Sequence, residues 1–486
     1  MRNYEIAVSG LNFRRRIVIT PKDFLYLSHL KMYRQMMRKI LVLSCLFASL
    51  NVQAQHADAR ISQLMNESRW FDLAQELKTT PADSVTPWVR QMGVAMTHYF
   101  FNRPDSACMV LTDLLGKHQQ ELGDHTLNMV VLLAVNLGRT EQYADAAGLI
   151  RNLCDQLGAL GMDSTQTAPY RMMARQYGLL ASCGPVCQPL HKAGEYRFPM
   201  VTEHETDQHF IEMDGSINGQ AGRMVLDTGA GSNMVTPEQA EKYGLRRLGM
   251  DVTVGGIGGM KQGYYAMADT LCIGGMAWIN VPFYVVDLQT GHAEADRLGK
   301  DLQLPPVVGL PILLRMQEIQ LDFARREFVI PAVPTPSPLR ESNMIRTDSE
   351  CLQVKVADET GASLYFHFDT GSYYTNMQPA WYGRHRKEVE AVGIPDSLRQ
   401  AGIGGVSITR SYILPQKKFR IGSGTAVLDS VGVNTGIDLH TGQLDKAAFS
   451  NGQEDGFLGL NLLKKFSKVI INLKDMYLET IPYTDK

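Results

Sequence analysis

The chain has 486 residues, too many for one hydrophobic core, so two to four domains are expected. A hydrophobic content of 44% and a charged content of 20% are ordinary for globular protein. The 48 basic and 50 acidic residues leave a formal net charge of -2, which gives no electrostatic reason to expect nucleic acid or an anionic membrane as partner.

In chain order, the first feature is a segment with the grammar of a secretory signal. Residues 36–55 read "MMRKILVLSCLFASLNVQAQ": Arg38 and Lys39, an apolar run from Ile40 to Leu50, then small residues before Gln55. Cleavage after Ala54 is expected, with 36–54 as signal peptide and 1–35 as a mis-assigned extension ahead of the true start. The run is too short to span a membrane. Export to the periplasm or outside the cell follows, with association to the membrane through an uncleaved N-terminus as the alternative. With Cys45 in the signal, six cysteines remain: Cys108, Cys154, Cys183, Cys187, Cys272 and Cys351. The pair in "CGPVC" has three residues between its thiols, one more than the redox motif, and reads as a local disulfide stapling a linker.

Residues 55–190 are expected to be helical. "RWFDLAQELK", "DSACMVLTDLLGKHQQEL", "TLNMVVLLAVNLG" and "EQYADAAGLIRNLCDQLGAL" repeat apolar residues at three and four spacings, with breaks at Pro81, Pro104 and Gly138. "LGRTEQYADAAGLI" resembles a tetratricopeptide-type repeat. A small helical-hairpin domain results, as well suited to plain packing as to a protein partner on its surface.

From about Tyr196 short alternating runs such as "WINVPFYVVD" and "ILPQKKFRIGSG" read as strands. "PAVPTPSPL" is a Pro-rich linker dividing this part into lobes at 196–332 and 340–486. Three motifs occur in both lobes in the same order. The first is "VLDTGA" and "FHFDTGS"; the second is "TVGGIGGMKQG" and "QAGIGGVSITR"; the third is "PPVVGLPILLRMQ" and "DGFLGLNLLKKF", each followed by two strand-like runs. Asp227 precedes Asp369 by 142 residues, Gly256 precedes Gly402 by 146 and Gly309 precedes Gly459 by 150. One Asp-Thr-Gly is weak evidence, since Asp and Gly favour turns anyway; two in the same context indicate duplication of one β unit.

A carboxylate at the end of an apolar strand is costly alone, but two facing each other can share a proton. The ionised member then takes a proton from water attacking a peptide carbonyl, and the protonated member donates a hydrogen bond to the developing oxyanion. Asp227 and Asp369 are the candidate catalytic pair. Thr228 and Thr370 are sized to hydrogen-bond across a two-fold axis. Gly229 and Gly371 bring N–H groups to the acids, and Ala230 and Ser372 complete the two loops. The tips Gly256, Ile257, Gly258, Gly259 and Ile403, Gly404, Gly405 can close over a peptide.

This constellation resembles the aspartic peptidases, most nearly their retroviral-type (retropepsin-like) families, with two lobes in one chain as in exported bacterial aspartyl proteases. The resemblance spans roughly 196–486. It implies two all-β acid-protease-like barrel lobes, a peptide or protein substrate, and no metal or other cofactor, and it covers nothing in the all-α domain ahead of them. The 142-residue offset and the Pro-rich linker favour a monomer with lobes paired intramolecularly over lobes paired between chains. The chain departs from the family at Gly231, where Ser or Thr is usual, and at Tyr373 and Tyr374, bulky residues that put substrate preference in doubt. One flap could serve the cleft while the other is structural. A catalytically silent peptide-binding scaffold and a latent precursor are the competing readings. His204 and His209 in "HETDQH" miss the zinc spacing His-Glu-x-x-His and read as surface histidines.

Overall fold

The computed structural model describes residues 4–7, 16–19, 52–201, 210–256, 259–289, 296, 304–338, 341–403, 405–444 and 454–484. It forms two compact units, 1–185 and 186–486. Most of the expected signal segment, His204 and His209 lie outside the described residues; Val52 already starts a helix.

In the first unit, helices Val52–Asn66, Trp70–Thr79, Pro87–Phe100, Pro104–Lys117, Thr126–Arg139, Tyr143–Ala159 and Ser164–Ser182 follow one another. Each of the last six packs on its neighbour in this order. Pro104 starts a helix rather than breaking one, because the first helical turn needs no N–H from it. Gly138 likewise lies inside its helix: the turn comes later, at Thr140–Gln142, with Glu141 at φ 64°. A methyl group at Gly138 would lie 2.5 Å from the Tyr177 ring, so glycine here lets two helices approach. The expected local disulfide between Cys183 and Cys187 does not form. Cys183 caps the last helix, whereas the Cys187 amide donates to Asn280 O of the β unit.

In the second unit each lobe closes a ring of six strands. The first runs Gln220–Leu226, Glu212–Ile217, Gly259–Ile273, Met276–Val286, Met234–Val235 and Val307–Val308, back to the start. The second runs Ser363–Phe368, Leu352–Ala357, Gly405–Ile421, Gly424–Asp438, Asn376–Met377 and Gly456–Leu458. Hairpin chemistry sets the register: Asn218 and Gly219, both at positive φ, make the two-residue turn between the strands at 212–217 and 220–226. Trp278 and Phe283 fill the first core and Phe366, Phe368 and Phe419 the second, all essentially without solvent contact.

The closing runs of both lobes build one further sheet, in the order Tyr477–Pro482, Phe466–Asn472, Glu318–Asp322, Glu327–Ile330 and Tyr196–Pro199. Its central pair, antiparallel from Glu318↔Asn472 to Asp322↔Lys468, holds the lobes together. The Pro-rich segment is pinned to this sheet rather than free. Thr335 donates from N and Oγ1 to the fully buried Glu318 carboxylate (2.6 and 2.8 Å), and its carbonyl accepts from Tyr477 Oη (2.5 Å) and Asn472 Nδ2 (3.0 Å). Glu318 also accepts from Gln320 Nε2 and Asn472 Nδ2. Glu318→Gln sets an amide N–H against these donors. We expect a stability loss of about 1–3 kcal/mol, read by denaturant unfolding, from a buried donor left unpaired.

Candidate active site

Each acid ends a strand whose last residues are buried: Met224, Val225 and Leu226 before Asp227, and Phe366, His367 and Phe368 before Asp369. The chain must turn there because a neighbouring strand takes over the ladder. The Asp227 amide donates to Val308 O and the Asp369 amide to Leu458 O, both at 3.1 Å. Those carbonyls belong to the apolar-apolar-Gly motifs. A side chain at Gly309 would meet Ala230 O and Ser232 O at 2.5 Å, and one at Gly459 would meet Tyr373 O at 2.7 Å. The third repeated motif therefore cradles the first, and only glycine allows so close an approach.

Between the lobes the threonines bond reciprocally. Thr228 N donates to Thr370 Oγ1 and Thr370 N to Thr228 Oγ1, both at 3.0 Å. Thr228 Oγ1 donates to Phe368 O (3.0 Å) and Thr370 Oγ1 to Leu226 O (2.9 Å). Both threonines are completely buried. Gly229 N and Gly371 N donate to Oδ1 of their own loop's acid at 2.8 Å. A methyl group at Gly229 would stand 2.6 Å from Asp369 Oδ1, and one at Gly371 2.6 Å from Asp227 Oδ2. The carboxyls thus face each other across the paired loops. Burial first, and then Asp369 beside it, raise the Asp227 pKa well above the usual carboxylate range.

The other expected residues fall around this pair. Ala230 is buried, and its carbonyl accepts from the Leu310 amide; the Ser372 carbonyl accepts from the Leu460 amide in the same way. Gly231 packs on the backbone of Glu350 and Ser349 from the other lobe. Tyr374 is exposed and meets Tyr373 edge to face. The glycine hairpins are strands Arg246–Gly256 with Gly259–Ile273, and Ile394–Gly402 with Gly405–Ile421. Gly259 and Gly405 sit at φ 125° and 144°, where glycine is favoured. A methyl group at Gly256 would be 2.6 Å from Ile403 Cβ, so the two tips meet. Ile257, Gly258 and Gly404 lie outside the described residues.

Other residues around the loops carry no signal in the motifs. Asn233 Oδ1 accepts from the Gly309 amide, and Thr375 Oγ1 does the same for Gly459, both at 3.0 Å. The Cys351 thiol donates to Gly229 O at 3.4 Å, and His367 and Glu454 form a buried ion pair. Among the described residues no group of three or more His, Cys, Asp or Glu side chains is placed to hold a metal ion.

Residues 213–303 match the profile of the aspartyl protease family. This first lobe is aspartic-protease-like. The chain is also similar to solved structures. Basic 7S globulin from soybean has 11% identity over 60% of this chain and 96% of that one, with a TM-score of 0.36. A retropepsin-like aspartic protease from Rickettsia conorii has 17% identity over 28% and 90%, with a TM-score of 0.20. No curated protein matches the chain.

The threonine network gives this aspartic-protease-like site its rigidity. Thr228→Val keeps the shape but strands the Thr370 amide and the Phe368 carbonyl in a dry interior. Stability should fall by about 2–4 kcal/mol in denaturant unfolding, while Thr228→Ser should lose less than half of that.

Proposed function

We propose that the protein is an aspartic endopeptidase, exported from the cell, whose water-activating pair is Asp227 and Asp369 of a single chain. The observation that carries this reading is the face-to-face placement of the two carboxyls, each against the other loop's glycine. An extended peptide lies between the dyad and the hairpin tips. Water held between the carboxyls gives a proton to the ionised acid as its oxygen attacks the scissile carbonyl carbon. The protonated acid donates to the carbonyl oxygen, so charge is neutralised as it develops. The C–N bond then breaks as the leaving nitrogen takes up a proton, and the dyad returns to one proton shared by two acids. Export rests on the signal-like segment, and the single-chain assembly on the pairing of both lobes within one sheet.

Asp227→Asn and Asp369→Asn are each expected to abolish cleavage of a diverse peptide mixture, by at least about a thousandfold, since neither acid can do both proton transfers alone. A folded wild type without activity at any pH would leave a peptide-binding scaffold or a latent precursor as the function.

The dyad is active with one proton bound, and the raised Asp227 pKa keeps that proton in place beyond the usual carboxylate range. Activity should therefore extend toward neutral pH. The same shift has a sign for stability. A carboxyl whose folded pKa lies above its unfolded value stabilises fully below the unfolded value, and that contribution is lost as pH rises through the folded one. Asp227→Asn should accordingly match the wild type in thermal unfolding below about pH 4 and exceed it increasingly toward neutral pH.

A further inference from the structure

The lobes place their acids by the same device, yet the residue two positions before each acid differs. Val225 in the first lobe pairs with Val307, and His367 in the second pairs with Phe457, at matching points of two parallel ladders. Three residues before those partners stand Leu304 and Glu454. Where the first lobe has an apolar Val and Leu, the second has an imidazole and a carboxylate. His367 and Glu454 are each 7% exposed, with Nδ1 and Oε1 3.5 Å apart. The imidazole ring rests on Phe457, centroids 4.8 Å apart. Among the described residues, His367 Nδ1 and Glu454 Oε2 have no hydrogen-bond partner.

A buried ion pair is commonly no better for stability than an apolar pair of similar volume, and the first lobe closes with the apolar one. Folding therefore does not explain the charge. Position does. Alternation along a strand sends residues 367 and 369 to the same face, while Phe366 and Phe368 fill the core. The carboxyls whose charge acts on the imidazole are Glu454 from the segment before strand Gly456–Leu458, then Asp369 from its own strand end, and Asp227 from the opposite lobe. Burial opposes its charge most strongly, but these three carboxyls together push its pKa up to about 9. Cys351, from the neighbouring hairpin, is neutral, its thiol pushed up to about 12 by burial and then by Glu454, Asp369 and Asp227. Asp455 turns away, to the Tyr365 amide and Arg384. The imidazolium in turn lowers the proton affinity of Asp227.

We propose that His367, oriented by Glu454, is a positioning residue that breaks the symmetry of the dyad: its cation favours the ionised carboxyl on its own strand, Asp369, and leaves the shared proton on Asp227. It rests on the proposed dyad chemistry and assigns roles within it, with Asp369 the base toward water and Asp227 the donor toward the carbonyl oxygen. It also lowers the pH range in which the pair holds a single proton.

The test gives the second lobe the first lobe's residues, in the double variant His367→Val with Glu454→Leu, beside His367→Gln. Without the cation the dyad holds protons more tightly. Both limbs of the pH profile of kcat/KM should move up by about 0.5–1 unit, and at least as far in His367→Gln, where Glu454 remains. Limbs that stay in place while KM rises would overturn the proposal, leaving the pair as part of the substrate cleft or of the packing. The carboxyl carbon resonances of Asp227 and Asp369, followed against pH by NMR in wild type and double variant, test the assignment without activity. Asp227 should be the later of the two to lose its proton in the wild type, and the dyad should titrate at higher pH in the variant. Unchanged titration would overturn the inference even in an active peptidase. A shifted titration in a protein that cuts nothing would uphold the inference and sink the peptidase reading.

Discussion

Two threonine hydroxyls, each bonded to the other lobe's backbone, fix everything else in the site. Two carboxyls in contact repel whenever both are ionised, so any freedom between the loops would let them separate. Thr228 and Thr370 remove that freedom. Each accepts from the opposite loop's amide and donates to the last carbonyl of the opposite strand. Two strand ends become one platform in which both threonine hydroxyls and both threonine amides have partners, and the carboxyls are held on it.

The remaining architecture brings the lobes into register for that network. Gly309 and Gly459 let the apolar-apolar-Gly loops come up beneath the acid loops, and the Val308 and Leu458 carbonyls take the Asp amides. The shared sheet sets the distance between lobes, and the Glu318 carboxylate ties the connecting segment back onto it. The hairpin tips of the two lobes also meet, at Gly256 and Ile403. The acid loops thus rest on elements that recur in both lobes, and the threonines join the two sets across the lobe boundary.

What was legible in the sequence was what is local and repeated. The strand-Asp-Thr-Gly runs, the glycine hairpins and the apolar-Gly loops carry their physical reasons within a few residues, and their common order foretold two β lobes behind a helical unit. Interactions distant in sequence were silent. Nothing in "PAVPTPSPL" says that Thr335 meets Glu318 and Asn472, so a pinned segment read as a tether. Gly138 read as a break because its reason, the Tyr177 ring, lies on another helix. "CGPVC" read as a staple because spacing does not show that Cys187 is drawn into a β ladder through Asn280. His367 was in plain view inside "FHFDTGS", but its partner Glu454 lies on a distant segment.

Two lobes of one topology also act as each other's control. Where they use different residues for the same task, the task is structural. Asn233 and Thr375 differ in chemistry yet both receive the amide of the cradle glycine, so either will serve. Where position matches but the task does not, the difference needs another cause. Val225 and His367 occupy equivalent ladder points, and only one carries a charge into the neighbourhood of the dyad. A site built by near-symmetric halves has no intrinsic reason to treat its two acids differently, whereas hydrolysis requires one acid to give a proton while the other takes one. The asymmetry has to come from substrate or from the protein. In the proposed peptidase, a fixed charge on one side of the axis would supply it before any peptide arrives, the condition under which electrostatic preorganisation contributes most to catalysis.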